Sequence, residues 1–382
     1  MRHSVEKILT THVGALPGPH QGTQDVIPDD ELRAAVREVV QRQREAGVDF
    51  VNEGELTKGG NFVTFVNSRL SGFEAVDGNA LARVLTESQD WTEFADFYGK
   101  AMAHGTLFEH TGSLPPQVRA RAQDLVCRGP VRYTGQQALA REIDALRSAL
   151  GGQPPSDAFL TTTAPASVEV GRKNDYYRTQ EEFVGALAEA LKIEYDTIAN
   201  AGFQVQIDDA WLPALWDRIG MKMGLDAFKR YCMTRVDALN HALRDVPEEQ
   251  IRYHLCWGSW HGPHLYDIPL SDIVDVMLSV KAQTYLFEAA NARHEHEYVV
   301  WESVKLPAGK ILAPGVVTHS TPLVEHPELV SQRIQRFAKR VGAENVIAST
   351  DCGLGLRCHP QVAWAKLKAL SDGAALATRA LH

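Results

Sequence analysis

The feature that most constrains this chain is an alternation: short β-branched apolar segments ending in polar or glycine residues, each followed by an amphipathic helical stretch. Eight segments read as strands: ILTTHVGAL, VDFVNEGE, FLTTTAPA, FQVQIDDA, IRYHLCWG, TYLFEA, KILAPGVV and NVIASTDC. Between them lie DDELRAAVREVVQRQREAG, TQEEFVGALAEALKIEYDTIANAG and HPELVSQRIQRFAKRVG, all of which close in Ala-Gly or Val-Gly as a helix C-terminus should. Eight β/α units predict an α/β fold, a closed parallel TIM (β/α)8 barrel, with a doubly wound open sheet as the alternative that pattern alone leaves open.

Residues 56–155 interrupt the rhythm between the second and third strands. Their Trp- and Phe-containing sequence, punctuated by SLPP and GGQPP, predicts a helical insertion over the barrel mouth. Residues 1–382 are thus expected to form one barrel domain carrying that insertion. There is no fixed-period repeat and no low-complexity segment.

Composition then removes function classes. With 44% hydrophobic and 23% charged residues, the chain is of ordinary globular type. A net charge of −9 argues against a nucleic-acid partner, which asks for a basic face. The first residues, MRHSVEKILTTHVG, hold no apolar signal region, and no window reaches the roughly 18 apolar residues of a membrane span. A cytoplasmic protein acting on small molecules is expected, and self-association into a homo-oligomer is compatible with the sequence. Five scattered cysteines do not make a disulfide framework, so reduced thiols are available to a metal.

Nearly every strand segment ends in a chemically capable residue: Glu55, Asp208, Asp209, His254, Cys256, Glu288 and Cys352. Active sites of barrels sit at that C-terminal face. Loops are wet, which accounts for carboxylates at strand ends, but less well for a histidine and two cysteines. In a strand, residues i and i+2 point the same way about 6.5 Å apart, so His254 and Cys256 look in one direction. Zinc takes Cys sulfur, His nitrogen and carboxylate oxygen, and His254, Cys256, Glu288 and Cys352 supply four such groups. The ordinary reading of a buried cysteine, a small hydrophobe, is assigned to Cys127, Cys232 and Cys358.

The segments THVGALP, NEGE, VQIDDAWLP, HLCWG, FEAANARHEHE, PGVV, VEHPELV and VIASTDCGLG together resemble the C-terminal barrel of cobalamin-independent methionine synthase and its single-barrel relatives, over most of the chain and least in the insertion. The resemblance implies a catalytic zinc on His254, Cys256, Glu288 and Cys352 that binds a substrate thiol as thiolate and presents it to an electrophilic carbon. Coordination deprotonates a thiol whose free pKa is about 8.5. It also implies that Asp208 and Glu55 hold the amino group of an amino-acid thiol. Two departures stand out: Gly14-Ala15 where the family carries Gly-Ser, and DDAW from Asp208 where it carries Asp-Glu-Pro. The implied activity is a zinc-dependent thiol S-alkyltransferase, most simply a methyltransferase, with a thiol and an alkyl donor as partners. Its competitors are opening of an epoxide by a thiol cofactor, as in the epoxyalkane:coenzyme M transferases, and demethylation of a small methylated compound. A metal-binding barrel without a donor site is the non-enzymatic alternative.

Around these residues, Asp208 and His319 are the catalytic candidates, with His12 a second possible proton donor. Gly14, Ala15, Glu55, Asp208, Trp211 and Trp257 are the substrate-binding candidates, and Trp260 shares the same rim. His294 and His296 are expected behind the metal ligands rather than on the metal. Arg293, Arg172, Lys173 and Arg357 are loop cations that suit an anionic substrate group or plain solvation equally.

Overall fold

The computed structural model describes residues 1–20, 26–59, 65–78, 83–84, 86–107 and 124–381. Seven strands form one all-parallel sheet in the order β1 (Leu9–Thr10), β10 (Ile347–Thr350), β9 (Ile311–Val317), β8 (Thr284–Phe287), β7 (Ile251–Leu255), β6 (Gln204–Asp209) and β4 (Phe159–Thr163). Helices such as Asp29–Glu45, Gln180–Asn200 and Pro327–Val341 connect and cover them. The chain is therefore a mixed α/β protein built on a parallel sheet.

Seven of the eight strand segments read from the sequence are strands. The eighth, at residues 48–55, makes only a parallel bridge from Val51 to Ala158. Its backbone nevertheless reaches both sheet edges: Asp49 and Phe50 donate to the Thr10 carbonyl of β1, and Phe159 of β4 donates to the Val51 carbonyl. The segment cannot extend further as a strand because Gly54 and Glu55 turn it with φ of 78° and 58°.

Alternation along the strands sorts the side chains onto two faces. Tyr285, Leu312 and Ala348 join the large core beneath the helices, whereas Leu286, Ile311, Ala313 and Ile347 join a smaller cluster with Leu9, Val13 and Phe50 on the other face. Register carries this inner face across the sheet, because Leu286 lies opposite His254 and His254 opposite Asp208. Asp208 and His254 consequently share the inner face, while their neighbours Asp209 and Tyr253 face the helices.

The interruption is not all helical. It holds helices Gln89–Glu93, Ala95–His104 and Gln136–Leu150, but also β2 (Leu70–Val76) and β3 (Asp124–Tyr133), an antiparallel pair. β5 (Arg172–Asn174) adds to β3 in parallel and completes a second, three-stranded sheet. In LSGFEAV and DLVCRGPVRY, charged residues interleave with apolar ones, which suits strands with one dry face. The SLPP stretch lies outside the described residues. A buried ion group ties this sheet to the helix layer: Arg69 pairs with Glu142 and, at 3.1 Å, with Glu194. No helix among the described residues is long and apolar enough to cross a membrane.

Candidate metal and acceptor site

His254 ends β7, Cys256 follows it on the same face, and Cys352 follows β10. One ligand atom from each of the three lies within 4.8 Å of the others. His254 Nδ1 sits 2.7 Å from Asp208 Oδ1, which also accepts from Gln206 Nε2 at 3.0 Å. An imidazole whose Nδ1 is fixed by a carboxylate turns Nε2 outward as a ligand. His254 Nε2 is buried and has no hydrogen-bond partner. Although burial works against the charged ring, Asp208 holds its pKa up at about 9. The two sulfurs are linked: the Cys256 thiol brings Cys352 down to about 6, with His254 and Arg357 assisting, while Cys256 rises. The site therefore offers two cysteine sulfurs and an orphaned imidazole nitrogen converging on one point, a donor set that fits zinc.

Glu288, the fourth expected ligand, lies outside this close group but adjoins it. Its Oε1 is 3.9 Å from Cys256 Sγ and accepts from the Trp257 amide at 3.2 Å; its Oε2 accepts from Asn291 Nδ2 at 2.7 Å. Burial pushes this carboxyl up to about 8. Asp351, just before Cys352, pins the chain after Glu288 by accepting from the Ala289 and Ala290 amides, both at 2.8 Å.

The second half of the site forms where the first loop meets the turn after residue 52. Asn52 Nδ2 donates to the Gly14 carbonyl at 3.2 Å, and Leu16 N to the Gly54 carbonyl at 3.2 Å. Ala15 offers its carbonyl to the amides of Leu354 and Gly355, so the first loop also grips the loop that carries Cys352. Glu55 projects against Gly14, where a Cβ would stand 2.1 Å from Glu55 Oε1. Burial, then the charges of Asp208 and Glu53, raise Glu55 to about 8, against Lys58 and a hydrogen bond from Thr161. Asp208 Oδ2 is buried with no partner. Replacing Gly14 by Ala must displace the Glu55 carboxylate; since about 1 Å of misplacement can cost up to about a hundredfold, Gly14→Ala is expected to raise KM for an amino-acid thiol by about tenfold or more with metal content unchanged. Steady-state kinetics with metal analysis check this.

Several expected site residues are placed elsewhere. Asp209 accepts from Ser167 Oγ at 2.8 Å and Tyr253 OH at 3.0 Å on the helix-facing side, so it does not ring the mouth. Trp257 is fully buried with its indole N–H on the Ile268 carbonyl at 2.8 Å, a packing residue rather than a substrate wall. Trp211 is buried and stacks on Trp260 with ring centroids 6.3 Å apart, the Arg218 guanidinium lying over both. His12 is tied to Gln43 Oε1 at 2.8 Å, and burial lowers it to about 3. His319 is buried beside His261, ring centroids 6.5 Å apart.

His294 is not aimed at the metal group: Glu297 at 2.8 Å and Asp267 at 3.3 Å take its two nitrogens and, against the pull of burial, hold it up at about 10. His296 is exposed. Of the loop cations, Arg357 donates to Ser259 Oγ at 3.1 Å and acts on Cys352. Arg293 donates to Leu265 O at 3.0 Å, Arg172 to Val168 O and Asn67, and Lys173 pairs with Asp175 at 2.9 Å. Sequence reading missed Glu53, Lys58 and Thr161, all buried beside Glu55. A Glu-x-Glu pair with a lysine three residues on was the available signal.

A model of the family described as "Cobalamin-independent synthase, Catalytic domain" matches residues 161–375. Among curated proteins, a methionine synthase of Saccharolobus solfataricus is 23% identical over 95% of this chain and 93% of its own length. One of Thermococcus kodakarensis is 21% identical over 93% of this chain and 87% of its own. Among solved structures, a B12-independent methionine synthase from Shewanella sp. W3-18-1, in complex with selenomethionine, superposes with a TM-score of 0.69 at 19% identity, covering 98% of this chain and 99% of that one.

Proposed function

Because the chain belongs to the cobalamin-independent synthase catalytic-domain family, we propose that it is a zinc-dependent thiol S-methyltransferase whose acceptor is homocysteine. The observation that carries this reading is the converging His254, Cys256 and Cys352 group with a buried, unpartnered Nε2. These three, with Glu288 beside Cys256 as an exchangeable fourth, would hold the metal. Bound there, zinc supplies the chemistry the reaction needs most, stabilising the acceptor sulfur as a thiolate near neutral pH.

The chain's own residues do the rest. Asp208 fixes the His254 tautomer through Oδ1 and leaves Oδ2 for the acceptor's ammonium, with Glu55 as the second carboxylate. A cation drawn out of water into this buried corner needs such opposite charge. Methyl transfer forms a carbon–sulfur bond and breaks the bond from that carbon to the donor, so the departing donor atom gains an electron pair; His319, on the loop after β9, is the proposed proton source there. We further propose that the segment at 48–55, bonded to both β1 and β4, closes the sheet into an eight-stranded barrel, and that residues 1–382 form one such domain, with residues 56–155 lying over its mouth.

Mass-spectrometric product analysis of the zinc-loaded protein with homocysteine and a panel of methyl donors should give methionine. Formation of a thioether only from an epoxide and a sulfonate thiol would replace the reading.

A further inference from the structure

Glu288 stands beside the metal group in a cradle of its own. Its Oε1 accepts from the Trp257 amide at 3.2 Å and its Oε2 from Asn291 Nδ2 at 2.7 Å, and both Glu288 and Asn291 are more than nine-tenths buried. The Asn291 amide cannot be turned round. Its Oδ1 accepts from the backbone amides of Arg293 at 2.9 Å and His294 at 3.1 Å, so the NH2 group is what faces Glu288. The two donors come from different loops, one after β7 and one after β8. Those loops are fastened together: Arg293 donates to the Leu265 carbonyl at 3.0 Å, and the Leu270 amide to Glu297 Oε1 at 2.7 Å. N–H donors on both oxygens are what an ionised carboxylate requires. Ligand atoms of His254, Cys256 and Cys352 lie within 4.8 Å of one another, whereas Glu288 reaches the edge of that group, 3.9 Å from Cys256 Sγ. The carboxylate can join the other three by moving inward, which stretches its bonds to Trp257 and Asn291.

We propose that Asn291 is a positioning residue for acceptor exchange, receiving the Glu288 carboxylate when a substrate thiolate takes the fourth position on the metal. This rests on the reading that Glu288 is an exchangeable ligand. A buried carboxylate released without donors is left desolvated and unpaired, which opposes its release. The cradle removes that opposition, so thiol binding draws on the Asn291 hydrogen bond. The same bond competes with the metal for Glu288. Its sign separates a receiver from a residue that orients a metal ligand: losing the orienting kind weakens metal binding, whereas losing a receiver leaves metal binding intact or tighter and weakens the thiol.

The test is Asn291→Ser. Serine keeps an oxygen able to accept from the amides two and three residues on, so the turn is retained, but its side chain is too short to donate to Glu288. Zinc affinity is measured by chelator competition, and L-homocysteine binding by calorimetry on the zinc-loaded protein, with X-ray absorption at the zinc edge. Zinc affinity should be equal or higher, and homocysteine should bind about tenfold or more weakly, the scale of one hydrogen bond to a charged group. In a Glu288→Ala background at saturating zinc, where no carboxylate needs receiving, Asn291→Ser should change homocysteine affinity by less than about twofold. Lowered zinc affinity in Asn291→Ser overturns the inference, as does unchanged homocysteine binding, or equal weakening with Glu288 present and absent. A wild-type protein that binds homocysteine without gaining a sulfur neighbour at zinc overturns the exchange reading itself, and the inference with it.

Discussion

Cys256→Ser and Cys352→Ser should each be purified with little zinc and with metal affinity lowered by more than about a hundredfold, since losing a ligand exceeds the roughly 10- to 100-fold cost of losing a partner of a ligand. Serine preserves shape but offers a hydroxyl that stays protonated where a thiolate is wanted. The two substitutions are not equivalent before metal binds. Cys352 is the sulfur whose pKa is brought down, by the Cys256 thiol first and then by His254 and Arg357, whereas that of Cys256 rises. Cys127→Ser is the control, because Cys127 sits in β3 with its sulfur on the Gly129 carbonyl at 3.3 Å, remote in the fold from the inner face. Metal analysis of the three proteins decides the matter: full zinc in both site variants would remove the assignment.

How much of this was legible in the sequence depends on what each residue type can do unaided. β-branched runs flanked by helices gave the parallel sheet, because a strand buried on both faces needs apolar residues at every position. The 48–55 segment is apolar at Val48, Phe50 and Val51 apart from Asp49, but its pairing is cut short by the Gly54–Glu55 turn, which composition does not display. His254 and Cys256 were legible because i and i+2 must share a face; the same parity separates Asp208 from Asp209, and reading both as rim carboxylates ignored it. Trp257 misled for a related reason, since it follows Cys256 and so turns into the helix layer. Lys58 was hidden by its type: loop lysines are nearly always solvated, and only its distance to Thr161 and Glu53 shows a buried one. The β2–β3 pair was hidden by the long stretch of sequence between its two strands, and because an antiparallel pair with one wet face gives a weaker pattern than a buried strand.

Asp208→Asn should have two separable effects, and the geometry sets their signs. Oδ1 accepts from both His254 Nδ1 and Gln206 Nε2. An asparagine must therefore put its amide oxygen there, which forces its NH2 group into the place of Oδ2. That position, unpartnered in the native protein, is where the acceptor's ammonium is proposed to bind, so an acceptor becomes a donor facing a cation. KM for homocysteine should rise by about 10- to 100-fold, the scale of one hydrogen bond to a charged group. The second effect falls on His254: its Nδ1–H keeps a hydrogen-bond acceptor but loses the negative charge behind it, and metal affinity should drop by up to about tenfold, the low end of such losses. Glu55→Gln separates the two, because Glu55 does not touch His254; it should raise KM on the same scale with zinc content unchanged. Measuring KM for both variants in saturating zinc isolates acceptor binding from metal loss. If neither variant alters KM for homocysteine under those conditions, the two carboxylates do not hold the ammonium, and the acceptor is a thiol recognised through some other group.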